Sequence, residues 1–259
     1  MKQLILYLLT FSMIFAQAPR VSDRADSLFS KELYISGQND TLQYRLLSPQ
    51  DPKEGKEYPL VLFLHGSGER GSDNHRQLIW GADMFVTKRN LRKFPAYVIA
   101  PQCPEDLRWV EVHWALETHR LPEQPSKTMA LVMELLDEFQ EDYHVDAHRI
   151  YVTGLSMGGY GTWDLIARIP DHIAAAAPIC GGGDETQAEK LADMPIWVFH
   201  GKQDPVVPVY RSRNMVEAVK KAGSRKIKYT EYPETGHGAW KPAYANRRLL
   251  RWMFRQRNK

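Results

Sequence analysis

The sequence predicts an α/β fold, in which a mostly parallel sheet carries helices on both faces and begins with an antiparallel hairpin. Three patterns support this. Residues 31–48 alternate apolar and polar side chains around a turn at residues 37–40, which is typical of a hairpin. After it come short, continuous apolar runs, as expected of strands covered on both faces. Stretches with apolar side chains at helical spacing separate those runs.

Six apolar runs predict the strands that follow the hairpin: 60–64, 97–100, 150–153, 174–179, 196–200 and 227–232. Four helices are expected at residues 126–143, 158–168, 209–222 and 242–255. Ser126 is suited to cap the first of them, and Gly223 to close the third. Ligand sites in such sheets lie at the carboxyl ends of the strands, so the residues just after each strand are the candidates for chemistry.

The first 18 residues resemble a signal peptide. A positive start at Lys2 precedes an almost wholly apolar stretch and the small residues Ala16 and Ala18. We expect cleavage after Ala16, because a cut after Ala18 would leave Pro19 at the new N-terminus. The sequence therefore predicts an exported protein, periplasmic or secreted, with a single domain over residues 31–257.

Composition excludes several classes of partner. Of the 259 residues 43% are apolar, enough for one sizeable core, and the net charge of +3 comes from well-mixed charges. No basic stripe indicates a nucleic-acid partner, and the one dense basic run, residues 247–255, is interpreted as a solvated helix face. The N-terminal apolar stretch is too short for stable membrane insertion. The oligomeric state stays open.

Neither a metal nor another cofactor is indicated. His144 and His148 stand four residues apart with Asp146 between them, but they lie in a polar stretch and are interpreted as surface residues, and no Cys-x-x-Cys motif occurs. Cys103 and Cys180 each follow a strand, and two strands are expected between theirs. That separation is about 14 Å at ~4.8 Å per strand, against about 7 Å for a disulfide. Pairing would need inward-bent loops and stays open.

One motif carries the chemistry. Gly154-Leu-Ser156-Met-Gly158 follows an apolar strand and opens a helix, as a nucleophile elbow requires. A serine nucleophile needs a base and an orienting acid, which in this kind of elbow follow in the order acid, then histidine. Asp204 and His237 satisfy that order from loops just past strands. Asp184, one strand earlier, is the alternative acid.

We assign supporting roles in the site to other residues that follow strands. An oxyanion needs two N–H donors, and we expect the backbone amides of Met157 and Ser67 to supply them. His65 and His200, which end strands, are interpreted as loop braces. Residues 183–194 are too few to form an apolar lid. Three tryptophans in strand-end regions therefore predict an open, aromatic-lined cleft for substrate: Trp109, Trp114 and Trp240.

These motifs are similar to those of prokaryotic α/β-hydrolase esterases. The resemblance covers roughly residues 33–255 and rests on four segments: His65-Gly-Ser-Gly-Glu-Arg-Gly71, Gly154 to Trp163, Pro178 to Asp184, and Gly236-His-Gly-Ala-Trp240. The chain looks like the dienelactone hydrolase, phospholipase/carboxylesterase and polysaccharide esterase groups. Dienelactone hydrolases proper use a cysteine where Ser156 stands, which argues against dienelactone as the substrate.

The resemblance implies the α/β-hydrolase fold, a catalytic domain and a Ser-His-Asp mechanism without a cofactor. We therefore expect an exported serine carboxylesterase acting on short-chain or aromatic esters, including hydroxycinnamoyl esters linked to carbohydrate. The alternatives are a serine peptidase of prolyl-oligopeptidase type and a non-catalytic binding module on a hydrolase scaffold. Retention of all three triad residue types argues against the module.

Overall fold

The computed structural model describes residues 18–258 and contains one eight-stranded sheet. Its strands are β1 (Phe29–Ile35), β2 (Thr41–Leu47), β3 (Tyr58–Leu64), β4 (Tyr97–Pro101), β5 (Val145–Leu155), β6 (Ala175–Ile179), β7 (Ile196–Gly201) and β8 (Ile227–Tyr232). Across the sheet they follow the order β1-β2-β4-β3-β5-β6-β7-β8. β1 and β2 form an antiparallel hairpin, β2 pairs antiparallel with β4, and all other neighbours are parallel. The predicted fold class and hairpin are confirmed.

The helices are α1 (Asp23–Leu28), α2 (Asp83–Val86), α3 (Lys88–Lys93), α4 (Lys127–Asp142), α5 (Met157–Arg168), α6 (Tyr210–Lys221), α7 (Trp240–Ala245) and α8 (Arg248–Met253). Ser126 caps α4 as predicted, since its hydroxyl accepts the amide of Met129 at 3.1 Å. The single helix predicted over residues 242–255 is wrong. Asn246 has extended backbone angles that end α7, and its side-chain oxygen accepts the amide of Arg248, which starts α8.

Two apolar clusters sandwich the sheet. All seven residues of β3 are buried, and their side chains alternate between the clusters, with Leu62 on one side and Phe63 on the other. Helices α4, α5 and α6 cover the Leu62 side, whereas α1, α2, α7 and α8 cover the Phe63 side. Burial of each such side chain stabilises the fold by roughly 1.5–3 kcal/mol. The sheet is therefore rigid where its strands deliver residues to the site.

Three sequence predictions concern other parts of the chain. The predicted signal peptide lies outside the described residues, apart from Ala18. Cys103 and Cys180 are both buried free thiols, and β3 and β5 separate their strands as expected. Between residues 18 and 258, no helix has the length and apolarity to cross a membrane.

Candidate active site

Ser156 occupies a sharp turn between β5 and α5. Its backbone angles, φ 53° and ψ −117°, are strained for an L-residue and turn the side chain away from the strand. A Cβ at Gly158 would overlap the carbonyl oxygen of Leu64, and one at Gly154 would overlap the carbonyl oxygen of Gly158. Only glycine fits at these two positions, so the local sequence dictates a turn that presents Ser156.

The structure brings Ser156, His237 and Asp204 together in one hydrogen-bonded line. The Oγ of Ser156 lies 2.9 Å from Nε2 of His237, although 81 residues separate them. The Nδ1 of His237 lies 2.7 Å from Oδ2 of Asp204. His237 begins a short turn five residues after the end of β8, and Asp204 follows β7. This geometry allows the imidazole to take a proton from the serine while a carboxylate holds its other nitrogen.

Asp204 is placed to stay ionised. Its side chain is fully buried, and burial alone would raise the pKa of the carboxyl. Hydrogen bonds with His200 and His237, and with the amides of Val207 and Val206, outweigh burial and hold that pKa well below its usual range. An anion therefore faces His237 at neutral pH.

His200 does more than the sequence suggested. Its Nδ1 lies 2.7 Å from the Ser212 hydroxyl, so the prediction of a bracing role is confirmed. Its Nε2 faces two acceptors, Oδ2 of Asp204 at 3.1 Å and the carbonyl of Val207 at 3.0 Å, and therefore donates to both. The contact with Asp204 was not predicted. The available signal was the spacing, because the two residues stand four apart across a turn.

Asp184, the alternative acid, has other partners. Its carboxylate accepts the amide of Leu121 at 2.8 Å and both the amide and hydroxyl of Thr186, and it pairs with Arg120 at 3.6 Å. It thereby fixes residues 120–121 of the long connection between β4 and α4. The carboxylate beside His237 belongs to Asp204.

Ser67 begins a three-residue 3-10 turn, and Met157, directly after Ser156, begins helix α5. Neither backbone amide donates to a protein acceptor within residues 18–258. His65 anchors the loop that carries Ser67. Its Nδ1 donates to the Gly66 carbonyl at 2.6 Å, and its Nε2 accepts the Cys103 amide at 2.9 Å. The brace predicted for His65 is confirmed. Burial lowers the pKa of His65 to about 4, so the ring is neutral.

Glu69, in the same loop, is buried, which no pattern in the sequence indicated. A Cβ on Gly66 would lie 3.0 Å from Oε2 of Glu69 and 3.6 Å from Cβ of Ser156, so this carboxyl lies directly behind the loop. Burial raises its pKa, although the nearby amides of Gly66 and Glu69 oppose the shift. Glu69 thus fills the space behind the turn that carries the Ser67 amide.

The three tryptophans that were predicted to line the substrate cleft lie in different environments. Trp109 is wrong as a cleft residue: it is fully buried, packs against Gly161, and donates its indole N–H to the His65 carbonyl at 3.0 Å. Trp114 is half-buried beneath the guanidinium of Arg108. Trp240 is half-buried, and its ring meets that of His237 edge to face at 5.1 Å. Of these three tryptophans, only Trp240 contacts a residue of the hydrogen-bonded line formed by Ser156, His237 and Asp204.

One group of metal-ligand types occurs in the described part of the chain: Cys180, Asp204 and His237, with one ligand atom of each within 4.8 Å of the others. Asp204 and His237 already bond each other. Burial raises the pKa of the Cys180 thiol, which donates to the His237 carbonyl at 3.3 Å. A cation here would displace the His237–Asp204 hydrogen bond, so the same atoms serve proton transfer better than metal binding.

Known proteins share this arrangement of elements. Residues 50–245 match the phospholipase/carboxylesterase family. A bifunctional acetylxylan esterase/xylanase from Neocallimastix patriciarum is 35% identical over 154 residues, which cover 58% of this chain and 20% of that protein. The crystal structure of a thermostable esterase superposes with a TM-score of 0.83 at 40% identity, covering 89% of this chain and 64% of the other.

A ferulic acid esterase structure superposes with a TM-score of 0.66 at 18% identity, covering 88% of this chain and 98% of that one, which supports the fold. The chain spans a fifth of the acetylxylan esterase/xylanase and under two thirds of the thermostable esterase. The family match extends over most of the sheet and includes Ser156, Asp204 and His237. These relatives are esterases, in line with the ester hydrolase that the sequence predicts. The chain therefore belongs to the phospholipase/carboxylesterase family of α/β-hydrolases, and the prediction of that family is confirmed.

Proposed function

We propose that the chain is a serine carboxylesterase in which Ser156 is the nucleophile, His237 the general base and Asp204 the orienting acid. The observation that carries the proposal is the unbroken line from Ser156 Oγ through the His237 ring to Asp204, with contacts of 2.9 and 2.7 Å. Serine becomes a competent nucleophile only when such a base removes its proton.

The reaction is acyl transfer in two steps. Ser156 Oγ attacks the ester carbonyl as its proton passes to Nε2 of His237, and Asp204 stabilises the imidazolium that forms. The amides of Met157 and Ser67 donate to the oxyanion. Collapse releases the alcohol, which takes the proton from His237. Water, deprotonated by His237, then attacks the acyl-enzyme and releases the acid and Ser156.

The substrate class we propose is short-chain or aromatic esters, including hydroxycinnamoyl esters carried by carbohydrate. Residues 185–191 form a short 3-10 segment packed through Ala188 and Leu191 into the core, so the β6–β7 connection supplies no apolar tunnel for a long acyl chain. Trp240 offers a partly exposed ring beside His237. Relatives named acetylxylan esterase and ferulic acid esterase agree with this class. Export of the enzyme is proposed from the signal-like residues 1–18.

Replacement of the nucleophile tests the proposal. Ser156→Ala should fold normally and lose p-nitrophenyl acetate hydrolysis by at least about a thousandfold. A fluorophosphonate probe should label wild-type protein at Ser156 and leave the variant unlabelled. Ser48→Ala, which removes an exposed hydroxyl elsewhere, is the matched control and should keep full activity and labelling. A Ser156→Ala protein that kept a tenth of the activity would refute the assignment.

A further inference from the structure

The basic run of the C-terminal helix lines a groove with other cations. Helix α8 lies beside the start of β8, and between them is a cavity of about 700 Å³. Six exposed cationic side chains line it: Arg225, Lys226, Lys228, Arg248, Arg251 and Arg255. No Asp or Glu lines it. The interpretation of this run as a solvated helix face therefore misses a concave surface, hereafter the basic groove.

The charge of the basic groove is uncompensated. None of its six cations forms an ion pair with a carboxylate of residues 18–258. Nearby cations are paired, since Arg149 and Arg257 both bond Asp146. With a net charge of only +3 on the whole chain, six unpaired cations around one cavity are a marked local excess. Like charges held together repel each other unless an anion is bound.

The positive surface extends beyond this cavity. Arg251 and Arg255 also line an adjoining cavity of about 310 Å³, to which Lys56 and Lys93 contribute further cations. The adjoining wall includes a single acid, Glu57. A small anion would occupy only part of such a track. Because the two cavities share Arg251 and Arg255, an elongated polyanion can contact the cations of both.

The basic groove is separate from the Ser156 site. It lies at the amino ends of β7 and β8, where Pro195 and Lys226 line it. Asp204 and His237 follow the opposite ends of the same strands. Six-residue strands put about 16–20 Å between the two ends. The groove therefore has no direct part in the chemistry at Ser156.

The side chains of the basic groove disfavour two other anionic partners, single-stranded nucleic acid and a lipid bilayer. The rings of Trp197 and Trp252 both lie beneath the ammonium of Lys228, at 5.4 and 5.7 Å, and Trp197 also stacks on Phe199. Lys228 thus occupies a face of each ring on which an unpaired base would otherwise stack. Large apolar side chains that are exposed in the described chain lie elsewhere, so none is placed to insert into a bilayer.

We propose that the basic groove binds an acidic polysaccharide, a chain whose repeated carboxylates match its unpaired cations. The choice of a carbohydrate rests on the proposed function, because an enzyme for carbohydrate-linked esters gains from a second contact with the polymer. Binding there holds the polymer near the protein and raises the local concentration of its ester groups. Small soluble esters gain nothing from the groove.

Binding of polygalacturonate to the whole protein tests this proposal, with neutral xylan, a 20-base-pair DNA duplex and phosphatidylglycerol vesicles for comparison. Calorimetry at 50 and 200 mM salt should show saturable binding of polygalacturonate that weakens with salt, and no binding of xylan. The triple variant Arg248→Gln/Arg251→Gln/Arg255→Gln should bind polygalacturonate at least about tenfold more weakly. Its hydrolysis of p-nitrophenyl acetate should equal that of wild type.

A charge-matched control keeps the test specific. Lys31→Gln/Lys88→Gln/Lys220→Gln removes three exposed, unpaired cations outside the groove and should bind like wild type. Equal losses in the two triple variants, no binding of polygalacturonate, or tighter binding of DNA or vesicles at equal charge concentration would each overturn the proposal. Binding measured on Ser156→Ala separates this question from catalysis, because that variant keeps the groove whatever its activity.

Discussion

The imidazoles of His200 and His237 bond the same oxygen, Oδ2 of Asp204, at 3.1 and 2.7 Å. The two amides of Val206 and Val207 occupy the other oxygen. The carboxylate is thus held on every side, and its direction toward His237 is fixed by its neighbours. His200 is therefore a positioning residue, which acts on the reaction only through Asp204.

Replacing His200 should lower turnover without weakening substrate binding. We expect His200→Ala to reduce kcat by roughly 10- to 100-fold with little change in KM, because a misplaced acid orients His237 poorly. His200→Gln, which keeps volume and an N–H donor, should recover part of the loss. The exposed His172→Ala is the control and should behave like wild type. A folded His200→Ala protein with kcat within twofold of wild type would contradict the positioning role.

Mutation should distinguish between the two candidate acids, Asp204 and Asp184. Asp204→Asn should lower kcat by about 10³-fold or more, because the amide reverses the hydrogen-bond polarity that holds His237. Asp184→Asn should keep kcat and lower the free energy of unfolding by up to about 2 kcal/mol, since it weakens the contacts with Leu121 and Thr186. Steady-state kinetics and urea unfolding of both variants make the comparison. Inactivity of the Asp184 variant alone would reverse the assignment.

Mild acid should destabilise the protein through His65. Burial lowers its pKa to about 4, against 6.5 for an unperturbed histidine. Between those values the unfolded chain binds more protons than the folded one, so stability falls as pH decreases from 6.5 toward 4. Protonation of His65 alone should lower the free energy of unfolding by about 2 kcal/mol by pH 5. The pKa of His119 is lowered as well, so this residue adds to the loss of stability.

Urea unfolding at pH 7, 6 and 5 measures this effect. His65→Gln, which removes the titrating group, should show a shallower decline over the same range, even where its stability at pH 7 is lower. Equal unfolding free energies for wild type at pH 7 and pH 5 would show that His65 is not held neutral by burial.

The elements around Ser156 were predictable because their signals are local. A strand buried on both faces must be continuously apolar, as β3 is, and an elbow must carry glycine where a side chain would overlap the backbone, as at Gly154 and Gly158. Ser156 and His237 stand out because Ser156 directly follows β5, His237 lies in the loop after β8, and glycines stand close to both. These requirements are set by the few residues on either side, so a single sequence contains them.

Side-chain direction in the long connections was not predictable in the same way. Trp109 turns inward because its N–H meets the His65 carbonyl, 44 residues earlier in the chain. Glu69 is buried in a loop whose polar, glycine-rich sequence resembles that of a solvated turn. The break at Asn246 depends on a side-chain contact that competes with helix propagation. The positions of Trp109 and Glu69 thus depend on tertiary surroundings, and the break at Asn246 on the rotamer of one side chain, neither of which the sequence pattern identifies.

Trp240 should set the preference for aromatic esters. Its ring lies edge to face with His237 at 5.1 Å and 6.0 Å from Trp80, so a partly exposed aromatic wall stands beside the imidazole. A flat acyl group stacked on that wall gains about 0.5–1.5 kcal/mol beyond area burial, which is about 2- to 13-fold in kcat/KM. Long acyl chains gain no comparable binding energy there, because a flat aromatic surface does not enclose an alkyl chain.

The measurement is kcat/KM for acetate, butyrate, decanoate and ferulate esters in wild type and in Trp240→Ala. Wild type should prefer acetate, butyrate and ferulate over decanoate. Trp240→Ala should lose several-fold on ferulate while acetate changes little, since acetate is too small to reach the ring. Trp109→Phe, a change in the buried tryptophan, is the control: it should lower stability through loss of the bond to His65 and leave the ferulate-to-acetate ratio unchanged. A preference for decanoate would refute the open site, and an unchanged ferulate-to-acetate ratio in Trp240→Ala would remove Trp240 from substrate recognition.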